Sequence, residues 1–125
     1  MCHANYPTVV LGDAVRARRL LPLETAVRLM TDAPARLLGL RDRGRIAEGA
    51  HADLVVFDPE RVASEPALAR HDLPGGGERL YAGSVGVAHV FVNGTEVVTD
   101  GELTGASAGT VLRSGRDTDT VTVRG

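Results

Sequence analysis

Four histidines, one cysteine and a few acids are the residues here whose types could do chemistry, and their spacing decides whether they can act together. The histidines are His3, His51, His71 and His89, with gaps of 48, 20 and 18 positions. Two imidazoles reach one metal ion from a local motif such as His-x-His or His-Glu-x-x-His, and no two of these four are so spaced. A self-contained metal site is not expected. His89 falls in a strand that enters a hairpin and reads as a packed or surface residue, and His51, after a turn glycine, reads as a surface residue. His71 is adjacent to Asp72, and chain neighbours do not face each other as base and orienter do in a triad.

Cys2 beside His3 has the residue types of a nucleophile and its base, because a thiolate needs a base or a positive charge nearby. Adjacency again points the two apart, and no third residue is specified. Gly75-Gly76-Gly77 lacks the lysine that follows a phosphate loop and reads as a flexible bend. Asp53 and Asp58 flank an apolar run and read as strand-edge and turn residues, and Arg16, Arg18 and Arg19 read as the solvated face of a helix without aromatic stacking partners. From these residues the chain is a scaffold without a reaction centre. No catalytic, cofactor-binding or metal-binding role is assigned to any of them.

The elements that would position such residues divide at Gly44 to Asp58, where two glycines bracket Arg45-Ile46-Ala47-Glu48 and four apolar residues, Leu54 to Phe57, run up to Asp58-Pro59. That is a turn feeding a strand, and four consecutive apolar residues imply a strand covered on both faces. Upstream the pattern is helical. After a loop holding Cys2, His3 and Asn5, Pro7 opens a helix to about Leu20 in which Gly12 is a mild weakness; Pro22 breaks it. Leu23, Ala26, Val27 and Met30 then mark the apolar stripe of a second helix, with Glu24 placed to pair with Arg28. Asp32 as N-cap, Pro34 early and Gly39 as a left-handed terminator delimit a third helix over Ala33 to Leu38.

Downstream, Pro59 to Leu73 is polar and interrupted by Pro66, so a loop with at most a helical turn is expected. Val85 to Val92 alternates around His89, and Asn93-Gly94 before Glu96-Val97-Val98 predicts a two-residue hairpin. Asp100-Gly101 is a further turn, and Gly115 to Gly125 reads as a loosely held tail.

Composition is that of one soluble globular domain: 125 residues, 43% hydrophobic, 24% charged, net charge -2. That balance gives no electrostatic case for nucleic acid or an anionic membrane. A single cysteine excludes an internal disulfide, no apolar run approaches the roughly 18 residues of a spanning helix, and the first residues lack the blocks of a signal peptide, so the cytoplasm is the expected compartment. With no Trp, two Tyr and two Phe, the core must come from Leu, Val and Ala.

Gly44 to Asp58 closely resembles the segment by which metal-dependent amidohydrolases leave their barrel and enter the small β domain beside it. Thr31 to Leu40 resembles the helix before that segment, and Val90 to Gly94 with Val97-Val98 resembles the closing hairpin. Leu21 to Met30 and Thr104 to Ala106 are most similar to the N-acyl-D-amino-acid deacylase (D-aminoacylase) group. The likeness covers roughly Met1 to Arg113.

The resemblance implies a mixed α and β chain with an incomplete fold. Residues 1–43 would be the terminal helices of a TIM-type barrel, 44–113 part of a small β-sandwich domain, and 114–125 a flexible tail. It implies zinc, as one or two divalent ions, activating water to hydrolyse the amide of an N-acyl amino acid. The metal ligands of that family have no counterpart in this sequence, and Met1 would fall just after the last of them. Cys2, His3 and Asn5 would lie in the loop after the eighth strand, near the substrate mouth. A complete barrel takes about 250 residues, so the expected partners are the rest of the barrel and, in the complete enzyme, a small N-acyl amino acid. Alone, the chain is expected to be inactive and marginally stable, with open strand edges. The alternatives are a non-catalytic module that pairs with a separate barrel chain, or a segment of a cyclic-amide hydrolase of the dihydroorotase or hydantoinase type.

Overall fold

The computed structural model describes residues 5–121, and Cys2 and His3 lie outside that range. The order is helices first and strands after, with the change at Gly44 to Asp58 as the sequence implies. Helix α1 begins at Tyr6–Val9 and continues directly into a π-helical stretch, Val10–Ala17. Its end is widened, since the Arg18 N–H donates to the Asp13 carbonyl at 2.8 Å, five residues back, and Arg19 then leaves with φ 52. Helices α2, Leu23–Met30, and α3, Asp32–Leu37, follow.

The apolar stripe of α2 faces inward as its spacing requires. Ala26 is buried with Leu11 of the first helix and Val62 beyond the first strand, and Leu23, Val27 and Met30 pack around them. Two details of the helices differ from expectation. Thr31 occupies the N-cap of α3 and makes no side-chain capping bond, while Asp32 lies inside the helix and its carboxylate accepts from Arg36 Nε at 2.9 Å. The i,i+4 geometry of that pair explains its choice of partner. Glu24 and Arg28 form no ion pair among those found in the described residues. Gly39 does adopt the left-handed backbone expected of a helix terminator, at φ 64.

Gly12 is a requirement of the fold rather than a weak point. It is buried, and a Cβ there would sit 2.7 Å from the Val62 carbonyl oxygen and 3.3 Å from Ala63 Cα. Absence of a side chain lets the first helix lie directly on the backbone at Val62 and Ala63. Gly12→Ala is therefore expected to cost about 1–3 kcal/mol through overpacking, read as a lower urea midpoint at unchanged slope. A midpoint equal to that of the parent chain would show that the two backbones are free to separate.

The main sheet has four antiparallel strands in the order β1-β6-β7-β8. Strand β1 is Leu54–Phe57, β6 is Val87–Val92, β7 is Thr95–Thr99 and β8 is Glu102–Leu103. Asn93 and Gly94, at φ 50 and 79, make the two-residue turn that the Asn-Gly pair predicts, and Asp100-Gly101 repeats the solution at φ 50 and 82. Strand β1 is not covered on both faces: Val55 is 56% and Val56 49% exposed. Its apolar run matches a covered strand, and the described residues do not supply the cover.

Four short strands lie between β1 and β6, two of them within Pro59 to Leu73, where a loop is expected. Strand β2, Ala63–Ser64, pairs with β5, Ser84–Val85, and β3, Leu68–Arg70, pairs with β4, Arg79–Tyr81. A 3-10 turn at Pro74–Gly76 carries the bend predicted at the glycines, with Gly75 and Gly76 both at φ 74. The long strand starts at Val87 rather than Val85, because Gly86, at φ 77, breaks the backbone between β5 and β6. Residues 116–119 of the expected tail lie against the end of α3, where Leu40 and Thr118 form an antiparallel bridge.

Candidate functional site

The segment between β1 and β6 meets the first helix at an open pocket of about 190 Å³ lined by Asn5, Pro7, Thr8, Ala82, Gly83 and Ser84. Asn5 is placed by two bonds: its Nδ2 donates to Ser64 Oγ at 2.6 Å, and its carbonyl accepts from Thr8 Oγ1 at 2.9 Å. Among the described residues the pocket wall carries the hydroxyls of Thr8 and Ser84, with no titratable base in its lining to activate them. Arg16, expected on the solvated face of its helix, instead turns inward. Its Nη1 donates to the carbonyls of Val62 at 2.7 Å and Pro59 at 3.2 Å, tying the helix to the turn after β1. Arg18 does stay at the surface, paired with Asp13 at 3.1 Å.

The described histidines are far from one another in role. His51 is exposed, and its backbone N–H donates to the Asp42 carbonyl at 2.8 Å. His71 is exposed beside Glu78 at 3.7 Å, while its neighbour Asp72 is taken by Arg79 through two bonds of 2.6 and 2.7 Å. The Arg79 bonds hold the Asp72 carboxyl below the usual carboxylate range. His89 Nδ1 lies 2.7 Å from Glu96 Oε1 across the hairpin, and that contact, with a further one from Thr99, keeps the Glu96 carboxyl low. Both are surface pairs. Asp58 performs turn chemistry: its Oδ1 accepts from the Glu60 N–H at 2.9 Å and its carbonyl from Val62 at 2.8 Å.

One polar cluster is announced by no sequence pattern, because it joins residues up to 65 positions apart. Arg43 donates through Nη1 to Asp53 Oδ2 and through Nη2 to Asn93 Oδ1 at 2.9 Å. The Asn93 N–H donates to Asp53 Oδ1 at 2.8 Å, and Asn93 Nδ2 to the Ala108 carbonyl at 2.6 Å. Partial burial opposes ionisation of Asp53, but the Asn93 N–H and the Arg43 guanidinium outweigh it, so this carboxyl lies below its usual range. Every polar atom of Arg43's fork that enters the cluster is matched to an acceptor. The arrangement is a structural clamp between the chain crossing, β1 and the hairpin turn. The signal available in the sequence was Asp53 before a strand and Asn-Gly after another.

Among the described residues no three His, Cys, Asp or Glu side chains come together as a metal could require. They do not fit a zinc ion, and they offer no place for a metal-activated step. No helix among them is long and apolar enough to cross a membrane.

Residues 4–98 match the model of the Amidohydrolase family, which is most of the chain. The chain belongs to that family. The amidohydrolase sequence is 49% identical over 90 residues to an N-acyl-D-glutamate deacylase of Alcaligenes xylosoxydans xylosoxydans, covering 72% of this chain and 17% of the relative. It superposes on the crystal structure of D-aminoacylase with TM-score 0.66 and 41% identity, over 82% of this chain and 20% of that one. It also superposes on N-acyl-D-glutamate deacylase from Bordetella bronchiseptica, solved with zinc and a phosphonate mimic of the tetrahedral intermediate, with TM-score 0.57 and 46% identity over 77% and 19% of the two chains. A dihydroorotase of Methanothermobacter thermautotrophicus is 37% identical over 87 residues, 66% of this chain and 20% of that one. The amidohydrolase chain thus spans about a fifth of the length of the relatives it matches. Its mixed helix and sheet architecture is the one shared with the D-aminoacylase structure.

Proposed function

We propose that this chain is the C-terminal segment of an N-acyl-D-amino-acid deacylase. In this reading residues 1–43 supply the last helices of a TIM-type barrel, residues 44–113 part of a small β-sandwich domain, and residues 114–125 the closing tail. The observation that carries the reading is the identity with the deacylases, 49% and 46%, against 37% with the cyclic-amide hydrolase. The exposed Val55 and Val56 on β1 support it as well, since a strand of this composition matches a surface that another part of a longer protein covers.

The reaction of the complete enzyme is addition of water to the acyl carbonyl and cleavage of the C–N bond, releasing a carboxylate and the amine of a D-amino acid. A bound zinc ion would supply activation of that water. The residues of this chain hold neither the metal nor the nucleophile in this reading. They fix the packing of the last helices on the β domain, and the pocket beside Asn5 sets the polar surface at the loop after the eighth strand. The enzyme acts in the cytoplasm on a small N-acyl amino acid.

Joining the chain to its upstream reading frame and assaying the purified product on N-acetyl-D-glutamate, N-acetyl-D-leucine and dihydroorotate tests this. Zinc-dependent release of a free D-amino acid is expected from the joined protein and none from residues 1–125 alone. Turnover of dihydroorotate without deacylation, or deacylation by the isolated chain above a no-protein control, would overturn the reading.

A further inference from the structure

After β8 the chain crosses from the sheet back to the helices in an extended path fixed at three places. Thr104 is held on β7, with its N–H donating to the Val97 carbonyl at 3.1 Å and its Oγ1 to the Glu96 carbonyl at 2.9 Å. Ala108 is held by Asn93 Nδ2 at 2.6 Å, and Gly105 and Gly109, on either side of it, have open space where a Cβ would stand. The far end is held most heavily. Arg41 Nε donates to Asp119 Oδ1 at 2.7 Å, its Nη1 and Nη2 reach the carbonyls of Arg116 and Thr118 at 3.3 Å each, and the Asp119 N–H donates to the Gly39 carbonyl at 2.8 Å. A turn closed by Arg113 and Asp117, with bonds of 2.8 and 2.9 Å, shapes this end before it docks.

We propose that residues 104–119 form a detachable strap that holds the crossing from helices to sheet, Gly39 to Asp53, in a fixed course. The buried cluster of Leu11, Ala26 and Val62 joins the helical half to the sheet at the Phe57 and Val87 end. Asn93 and Asp53 stand at the opposite end of β1 and β6, so the strap and the Arg43 clamp make a second attachment there. Because the strap contributes none of the buried core residues, its far end detaches without opening the cluster. The crossing's other backbone bonds are short-range or lie at its ends: Gly39 N–H to Arg36 at 3.1 Å, Leu40 N–H to Ala35 at 2.8 Å, Ala50 N–H to Ala47 at 3.1 Å, Asp53 N–H to His51 at 2.9 Å and Gly94 N–H to Ala52 at 2.9 Å, with His51 N–H to Asp42 at 2.8 Å the one that spans its middle. None of these contacts depends on the deacylase reading.

Amide hydrogen exchange by NMR on the full chain tests it, comparing the parent with Arg41→Ala and with a chain ending at Gly109. On release of the strap, exchange at the Leu40 and His51 amides is expected to speed up by about tenfold or more, with Asp119 following in Arg41→Ala, while the Val90 and Val98 amides of the sheet hold their rates. If the truncated chain does not fold, Arg41→Ala gives the same readout. Unchanged rates at Leu40 and His51 would overturn the proposal, since the strap would then restrain nothing. Equal acceleration at Val90 and Val98 would overturn it too, because the segment would be part of the global fold.

Discussion

Gly86→Ala is expected to destabilise the chain by about 2–5 kcal/mol. Two independent costs meet at this residue. Its φ of 77 lies in the left-handed region, where an L side chain costs roughly 1–2 kcal/mol. Its Cβ would also stand 2.5 Å from the Val62 nitrogen and 2.7 Å from the Arg61 carbonyl carbon, both of them backbone atoms that cannot swing aside. That crowding adds about 1–3 kcal/mol. The displaced atoms belong to the turn that delivers Val62, at 1% exposure, into the core, and the Gly86 carbonyl accepts the Asp58 N–H at 2.8 Å. Against a total stability of about 5–15 kcal/mol for ordinary domains, such a loss leaves little. Gly105→Ala separates the two costs, because Gly105 has φ 80 but nothing within 4 Å of its added Cβ. Urea unfolding followed by circular dichroism should show Gly105→Ala losing about 1 kcal/mol and Gly86→Ala at least twice that. Equal losses in the two variants would mean that the contact with Val62 is soft and that crowding decides nothing.

The same residues show what is legible in a sequence and what is not. The hairpin turns are legible because Asn93-Gly94 and Asp100-Gly101 carry their own backbone preference, so no distant partner is needed to define them. Gly39 is legible for the same reason. Gly12 and Gly86 are not, since their reason is a backbone about 50 and 24 residues away in sequence, at Val62, and a sequence read locally shows a helix weakened and a strand extended. Strands β2 to β5 escape because two or three residues give no period to detect, and their pairing, Ala63 with Val85 and Arg70 with Arg79, is set by tertiary closure. Coverage of β1 differs from expectation for another reason: the apolar run reports a strand fit for covering on both faces, whereas the exposure of Val55 reports what these residues alone supply. For the site, the local patterns of the crossing and the hairpin are enough to place the family, and the matching residues 4–98 contain both. The spacing of the histidines holds no local metal motif, and the polar group that the fold does assemble, Arg43 with Asp53 and Asn93, joins three residues that no local rule links.

Arg43→Met should cost about 1–3 kcal/mol at neutral pH, and the cost should depend on pH in a direction fixed by Asp53. The Arg43 side chain is 13% exposed and that of Asp53 34%, so removal of the guanidinium leaves a carboxylate partly shielded from water and an Asn93 Oδ1 without its donor. Water still reaches Asp53, which keeps the loss below that of a fully buried charge. The Asp53 carboxyl is held below its usual range despite partial burial, by the Asn93 N–H and by Arg43. A carboxyl depressed in the folded state stabilises the fold above its unfolded pKa of about 3.9 and loses that contribution as pH falls through the lower folded value. The gap in urea midpoint between parent and Arg43→Met is therefore widest near pH 7 and closes as the solution is taken below the carboxylate range. Arg43→Lys should fall between the two, because an ammonium keeps the charge but cannot serve Asp53 and Asn93 with one planar fork. Adding Asp53→Asn to Arg43→Met removes the orphaned charge, and the double variant should be more stable at pH 7 than Arg43→Met alone. A gap between parent and Arg43→Met that stays constant from neutral to acid pH would show that Arg43 acts through packing of its stem and that the ion pair with Asp53 contributes nothing.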